Sequence, residues 1–125
     1  MAVLRGQTLY AQGDYTGALS EYQKALDSNK SSSLAAYRMG EVFFQQRNYQ
    51  SAANSFRDAL RGDNDPRWTE VWSDIQLGHI FDVTGQRDRA VNEYRLCIQT
   101  NDNTQGAINE CRERMKAPYK RPAEN

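Results

Sequence analysis

The sequence predicts an all-α fold built from antiparallel pairs of helices. Its 125 residues contain three segments that align with one another without a gap from Gly6, Gly40 and Gly78 onward. Apolar residues within each segment recur at spacings of three and four, as they do on one face of a helix. Polar or glycine-containing turns interrupt this periodicity midway through each segment. These three observations predict a repeated helix-turn-helix unit.

The three segments agree at five positions, which hold in order a glycine, a large apolar residue, an alanine, an aromatic residue and a small residue. The sets are Gly6, Leu9, Ala18, Tyr22 and Ala25; Gly40, Phe43, Ala52, Phe56 and Ala59; and Gly78, Phe81, Ala90, Tyr94 and Cys97. Glycine and alanine lack bulk, so two antiparallel helices can approach closely there while large side chains fill the neighbouring space. The pattern predicts one close helix contact in each hairpin.

The order of these residues, together with the 34-residue step from Gly6 to Gly40, resembles the tetratricopeptide repeat. The resemblance implies a right-handed superhelical solenoid of antiparallel helix pairs with about seven helices. It also implies a scaffold or peptide-binding module for protein-protein interaction, with the first helix of each pair lining a concave face. An enzyme is not expected.

The first two repeats follow from their turns and caps. We expect residues 1–32 to form the first repeat, with helices over 2–11 and 15–27. Its start lacks about half a turn relative to the second repeat, which favours a fragment of a larger protein, and a frayed native terminus is the alternative. Residues 33–65 form the second repeat, and Ser32 or Ser33 is the predicted N-cap of its first helix.

The third repeat, residues 66–103, carries an insertion near its start. The step from Gly40 to Gly78 is 38 residues, and the four extra residues amount to about one helical turn. Asp65 and Pro66 suit an N-cap and a first helical position, so the insertion is expected to lengthen the first helix of this repeat. Trp68 then lies on the same face as Trp72.

A capping helix is predicted over residues 104–118. Ile108, Cys111 and Met115 repeat the apolar spacing of the earlier helices, whereas Arg112 stands where glycine would be. A bulky charged residue is acceptable there if no further helix packs against it, as in the terminal helix of a repeat array. Pro118 ends this helix, and we expect residues 119–125 to be a disordered tail.

Composition excludes several classes of function. Sixteen Lys and Arg residues balance sixteen Asp and Glu residues, so no overall field favours nucleic acid or an acidic membrane surface. No apolar run approaches the roughly 18 residues of a membrane span. We expect a soluble protein without membrane insertion, with the cytoplasm favoured over the periplasm or export, although the sequence does not fix the compartment.

The sequence offers no metal site, cofactor motif or catalytic residue. One histidine and two cysteines outside a CxxC arrangement cannot assemble a zinc site. No phosphate-binding glycine motif occurs, and His79 near Asp82 lacks a nucleophile. Cys97 and Cys111 occupy apolar positions, so buried free thiols are expected, and a disulfide in an oxidising compartment is the alternative.

A band of side chains on the first helices is not needed for packing between helices, and we expect it to bind a partner. Aromatic and apolar members would anchor the partner, and polar members at the rim would orient it. The predicted partner-binding residues are Gln7, Tyr10, Tyr37, Arg38, Glu41, Phe44, Trp68, Trp72, Ile75, His79 and Asp82. For Tyr10 and Tyr37 the alternative is that the rings fold onto neighbouring helices and thicken the core.

The predicted partner is a peptide or helix with an apolar or aromatic segment. In the chaperone-binding branch of the tetratricopeptide repeat family, which this sequence resembles, lysine, asparagine and arginine side chains bind the C-terminal carboxylate of a partner. Here Val3, Gln7, Trp72 and Gln76 stand at those places and leave Arg38 largely alone, which argues against such a ligand. The alternative function is self-association, in which the same aromatic surface forms a homodimer.

Overall fold

The computed structural model describes residues 1–122, and within that range every regular element is helical. The α-helices are α1 (Ala2–Ala11), α2 (Tyr15–Ser28), α3 (Ser33–Gln45), α4 (Tyr49–Arg61), α5 (Trp68–Val83), α6 (Arg87–Gln99) and α7 (Ala107–Lys116), with a 3-10 helix (Thr104–Gly106) before α7. The predicted all-α fold is confirmed. The chain forms two compact units, Met1–Glu70 and the chain from Val71 onward.

The turn inside each hairpin uses a residue with left-handed backbone. Gly13 and Gly85 have φ of 81° and 77°, which glycine adopts without steric cost. Arg47 takes the same place in the second hairpin with φ of 60°. Asp14 and Asn48 follow directly and cap α2 and α4, because their side-chain oxygens accept a backbone N–H from the first turn. The sequence predicted all three turns.

In each hairpin, the glycine of the first helix faces the aromatic ring of the second. A Cβ atom added to Gly40 would lie 2.6 Å from Cε1 of Phe56, whose side chain is completely buried. The corresponding pairs are Gly6 with Tyr22 and Gly78 with Tyr94. The close approach that the sequence predicted is therefore a glycine-to-ring contact, in which the ring fills the space that a side chain would need.

The start of α5 differs from the prediction. The helix begins at Trp68, and Pro66 lies before it in a cis peptide bond with Asp65. The Pro66 carbonyl accepts hydrogen bonds from the backbone N–H (3.0 Å) and hydroxyl (2.8 Å) of Thr69. Pro66 is thus not a helical residue. The added length is nevertheless at this end. The helix α5 has 16 residues and α3 has 13, and both end at the same distance after their glycine, Gly78 and Gly40.

The inserted residues bind the start of α3, which explains the later start of α5. The Asp63 carboxylate accepts the backbone N–H of Ser33 (3.1 Å), and the Ser33 hydroxyl donates to the Ala59 carbonyl (2.6 Å). That hydroxyl also accepts the N–H of Asn64 (2.9 Å). Ser32 caps α3 through its hydroxyl, which accepts from Ala35, as the sequence predicted. These hydrogen bonds hold Asp63 and Asn64 against the start of α3, and α5 begins only after them.

A disulfide joins α6 to α7. Cys97 and Cys111 are both buried, and their Cα atoms lie 6.5 Å apart with an S–S distance of 1.97 Å. Burial agrees with the sequence analysis, but the expectation of free thiols was wrong. Positions 97 and 111 face each other across two packed helices, within the Cα separation that a disulfide spans.

The chain leaves α7 in an extended conformation. Ala117, which precedes Pro118, has φ of −146° and ψ of 135°, because proline disfavours helical backbone in the residue before it. Tyr119 was predicted to lie in a disordered tail, but its ring packs on His79 within the second unit, as described below. Residues 123–125 of that predicted tail lie outside the described residues.

Candidate functional site

The first unit gathers six of the predicted partner-binding residues around one guanidinium group. We call this set the Arg38 surface; it consists of Gln7, Tyr10, Tyr37, Arg38, Glu41 and Trp68. These residues come from α1, α3 and the first turn of α5.

The Arg38 guanidinium is held on several sides. Its carbon lies 5.2 Å from the centroid of the Trp68 ring and 5.5 Å from that of Tyr37, within the range of a cation-π contact. One terminal nitrogen donates to Glu41 at 2.9 Å. With its amide oriented to bond, Gln7 accepts from Nε (3.3 Å) and a terminal nitrogen (3.2 Å). The Arg38 side chain is still 22% exposed, so part of it reaches the surface.

Two predicted aromatic anchors belong to the core. The Tyr37 ring is buried between Phe56 and Trp68, with centroid distances of 5.4 Å and 5.2 Å. Phe44 is also buried and packs against Tyr49 at 5.6 Å. Their predicted exposure was wrong, and for Tyr37 the alternative of a ring folded onto neighbouring helices is correct. Trp68 remains partly exposed, so its ring is the aromatic group of α5 that this surface presents.

Burial governs ionisation at the Arg38 surface. Burial, followed by the charge of Glu41, raises the pKa of Tyr10 to about 12, so its hydroxyl keeps its proton at neutral pH. Burial also raises the pKa of Glu41, and this effect outweighs the hydrogen bond and charge of Arg38, which lower it. Folding therefore disfavours the ionised form of Glu41.

Changing Glu41 to glutamine is expected to stabilise the protein at neutral pH. The folded-state pKa of Glu41 lies above its ordinary value of 4.5. The stability of the wild type therefore falls as the pH rises from 4.5 through the raised pKa. Glutamine cannot ionise, and its amide oxygen can still accept from Arg38. Melting temperatures measured at about pH 7 and about pH 4 should show an advantage of Glu41→Gln that shrinks at the lower pH.

Glu110→Gln is a control in which the expected change in stability at neutral pH has the opposite sign. The hydrogen bond from His79 is the main cause that lowers the pKa of Glu110, so its stabilisation is present above 4.5 and is lost as pH falls through the lowered value. Glu110→Gln should therefore be less stable than wild type at about pH 7. A Glu41→Gln protein that melts below wild type at that pH would contradict the raised pKa of Glu41.

The second unit places His79 and Asp82 under the chain's own C-terminal segment. The Tyr119 ring stacks on the His79 ring, with centroids 3.8 Å apart and an interplanar angle of 15°. His79 Nε2 donates to Glu110 of α7 at 2.8 Å. His79 is only 8% exposed, so the prediction that it lines an open groove was wrong. The reason is that α7 and the residues after it fold back onto α5.

Asp82 is the most connected side chain of this site, and it is 1% exposed. Both carboxylate oxygens accept from one nitrogen of Arg87 at 3.1 Å, and Oδ2 also accepts the Tyr94 hydroxyl (2.7 Å) and the backbone N–H of Tyr119 (3.0 Å). The other terminal nitrogen of Arg87 donates to two carbonyls of the last turn of α7, at 2.7 Å and 3.0 Å. Asp82 was predicted at an exposed rim, but it is a buried and fully paired charge.

The two remaining predicted residues also lie in the second unit. Ile75 is completely buried, so its predicted role as an exposed anchor was wrong. Trp72 is partly exposed, and its indole N–H donates to the Thr104 carbonyl at 3.0 Å. The turn before α7 therefore fixes the Trp72 ring.

Sequence reasoning missed the residues that close the second site, Arg87, Glu110 and Tyr119. Arg87 follows Asp82 by five residues across the turn between α5 and α6, a spacing that no local pattern marks. Tyr119 did offer a signal, because an aromatic residue directly after Pro118 is unusual for a tail without contacts. The basic residues around Tyr119 instead favour a solvated segment.

No helix within residues 1–122 is long and apolar enough to cross a membrane. No cluster of three or more His, Cys, Asp or Glu side chains in the same range could hold a metal ion.

Comparison with known proteins agrees with this architecture. The family model of the tetratricopeptide repeat matches residues 3–67. The crystal structure of MamA is similar to the chain, with a TM-score of 0.69 and 19% sequence identity, over 92% of this chain and 72% of that one. At this identity the similarity concerns the fold alone. No curated protein matches the chain.

Proposed function

Because the chain belongs to the tetratricopeptide repeat family, whose members generally mediate protein-protein interaction, we propose that it binds a segment of a partner protein at the Arg38 surface. The observation that carries this proposal is the partly exposed Arg38 side chain, whose guanidinium contacts both the Trp68 ring and Glu41. Binding hot spots are enriched in Arg, Trp and Tyr that are held by their neighbours before the partner arrives.

The charges of the surface indicate the chemistry of the partner segment. Arg38 is paired with Glu41 at 2.9 Å, so the cation is already balanced and a second carboxylate would meet the charge of Glu41. Tyr10 and Gln7 are partly exposed and can hydrogen-bond a peptide backbone. The partly exposed Trp68 ring favours an apolar or aromatic side chain. The surface therefore suits an extended segment with a flat apolar side chain rather than an acidic peptide end.

Selection from a random peptide library with the full chain tests this proposal. Peptides that bind wild type are expected to lose at least about tenfold in affinity for Arg38→Met, which keeps the side-chain length but removes the guanidinium. Fluorescence anisotropy with labelled peptides gives the dissociation constants.

The matched control is Arg61→Met, since Arg61 lies at the end of α4, where its side chain is exposed and pairs with Asp58. This variant should bind as wild type does. Failure to select any peptide, or equal losses in the two arginine variants, would contradict the proposal.

Self-association is the second candidate function, and exposure on α1 favours it. The large apolar side chain of Leu4 in α1 is 59% exposed, so a second copy of the chain can contact it. Light scattering over a range of protein concentrations distinguishes the two candidates. A monomer at every concentration excludes self-association and leaves the peptide-binding proposal standing.

The disulfide bears on the compartment. Disulfides persist in oxidising compartments and are rare in the cytosol. We therefore propose that the domain works in an oxidising compartment, whereas the sequence slightly favoured the cytoplasm and left the redox compartment open. The Cys97–Cys111 bond supports this placement.

A further inference from the structure

The segment from Ala117 to Tyr119 lies on α5 in the manner of a bound peptide. Its backbone is extended at Ala117, and Pro118 prevents helix from continuing. The backbone N–H of Tyr119 donates to the buried carboxylate of Asp82 at 3.0 Å, and its ring stacks on His79 at 3.8 Å. The segment thus makes both a main-chain hydrogen bond and a side-chain contact, the two kinds of contact that extended peptides use in recognition.

The site is held in shape by groups other than this segment. Glu110 fixes the His79 ring through a 2.8 Å hydrogen bond. Arg87 and the Tyr94 hydroxyl fix the Asp82 carboxylate. Because these partners belong to α6 and α7, departure of the segment would leave the histidine ring and the carboxylate positioned for another ligand. Such preorganisation lowers the cost of binding.

The segment can also leave without unwinding a helix. It follows Lys116, the last residue of α7, and Tyr119 lies in a stretch without regular structure. Its advantage over a free ligand is its attachment to the chain, which gives it an effective concentration on the order of millimolar.

We propose that His79 and Asp82 form a peptide-binding site that the chain's own residues 117–119 occupy, and that a partner segment with a proline followed by an aromatic residue replaces them. The partner chemistry is taken from the occupant, Pro118 followed by Tyr119. All groups of this site lie after Val71, so it is separate from the Arg38 surface, and either proposal can fail without the other.

The test uses a labelled peptide with the chain's own residues 116–121, KAPYKR, added to the full chain. Fluorescence anisotropy should show at least about tenfold tighter binding to Tyr119→Ala than to wild type, because the attached competitor has lost its ring. Tyr119→Phe keeps the ring, so it should bind the peptide as weakly as wild type. A peptide with tyrosine replaced by alanine should not bind any of these proteins.

Each other outcome overturns the proposal. Equal binding to wild type and Tyr119→Ala would mean that the segment does not compete for the peptide. No binding to Tyr119→Ala would mean that His79 and Asp82 do not form a peptide site. Circular dichroism of Tyr119→Ala should match wild type, since Tyr119 lies outside every helix, and this separates a lost site from a lost fold.

Discussion

Replacing Gly40 with leucine is expected to lower the free energy of unfolding by about 3 kcal/mol, the upper end of the usual cost of overpacking. Even a Cβ atom at this position would lie 2.6 Å from the ring of Phe56, which is completely buried. Helix propensity predicts the opposite sign, because glycine inside a helix costs about 1 kcal/mol relative to a good helix former. The sign of the change therefore distinguishes packing from propensity.

Urea unfolding of Gly40→Leu, Phe56→Ala and the double variant measures this contact. Leucine would occupy part of the space that Phe56→Ala vacates, so the double variant should lose less stability than the two single losses combined. Additive losses would show that the two residues do not share a contact. Wild-type stability of Gly40→Leu would contradict the repeat alignment itself.

Replacing both Cys97 and Cys111 with alanine is expected to cost about 3 kcal/mol, the value for a closed loop of about 15 residues. The two cysteines are 14 residues apart and lie on helices that pack together. Alanine is preferred to serine here because both positions are buried and a hydroxyl would need a new partner.

Wild type unfolded in the presence of a reductant provides the matched comparison. It should be about as unstable as the double alanine variant, since both lack the bond. Oxidised wild type should expose no thiol to an alkylating reagent in denaturant, because the chain has only these two cysteines. Two reactive thiols in protein purified without reductant would contradict the disulfide.

Local patterns were enough to predict the hairpins. Gly40 and Phe56 sit at fixed positions in a repeated pattern, and small-to-large pairing between two helices explains why both are needed. Gly13 marks a turn because of its left-handed backbone, and Ser32 marks a helix start because its hydroxyl accepts a backbone N–H. Each of these features depends on a few residues close together in the chain, so the sequence alone reveals them.

Local patterns could not predict which residues pack on each face of a helix. Helical periodicity correctly placed His79 and Asp82 on one face of α5, but it cannot show that α7 and Tyr119 return to that face. Local propensity also favoured Pro66 inside the helix, yet hydrogen bonds between Asp63 and the start of α3 delayed the start of α5. In both cases contacts between residues distant in the chain decided the outcome.

The contacts around Arg38 follow from the sequence for a physical reason, while their role in binding stays a prediction. Gln7, Arg38 and Trp68 come from different helices, and their positions follow from helical phase and the repeat. The sequence predicted that they belong to one binding surface, and the structure brings them into contact. The sequence left two alternatives for the Tyr37 ring, exposed or folded onto neighbouring helices, because helical phase alone does not show that Trp68 packs against it.

Binding at the Arg38 surface is tested most directly by nuclear magnetic resonance. The chain has two tryptophans, Trp68 within that surface and Trp72 bonded to the Thr104 carbonyl, so each gives its own indole N–H signal. Titration of a selected peptide into the isotope-labelled full chain should shift the Trp68 indole signal and leave that of Trp72 unchanged. A Trp68 signal that stays fixed at saturating peptide would contradict the proposed function.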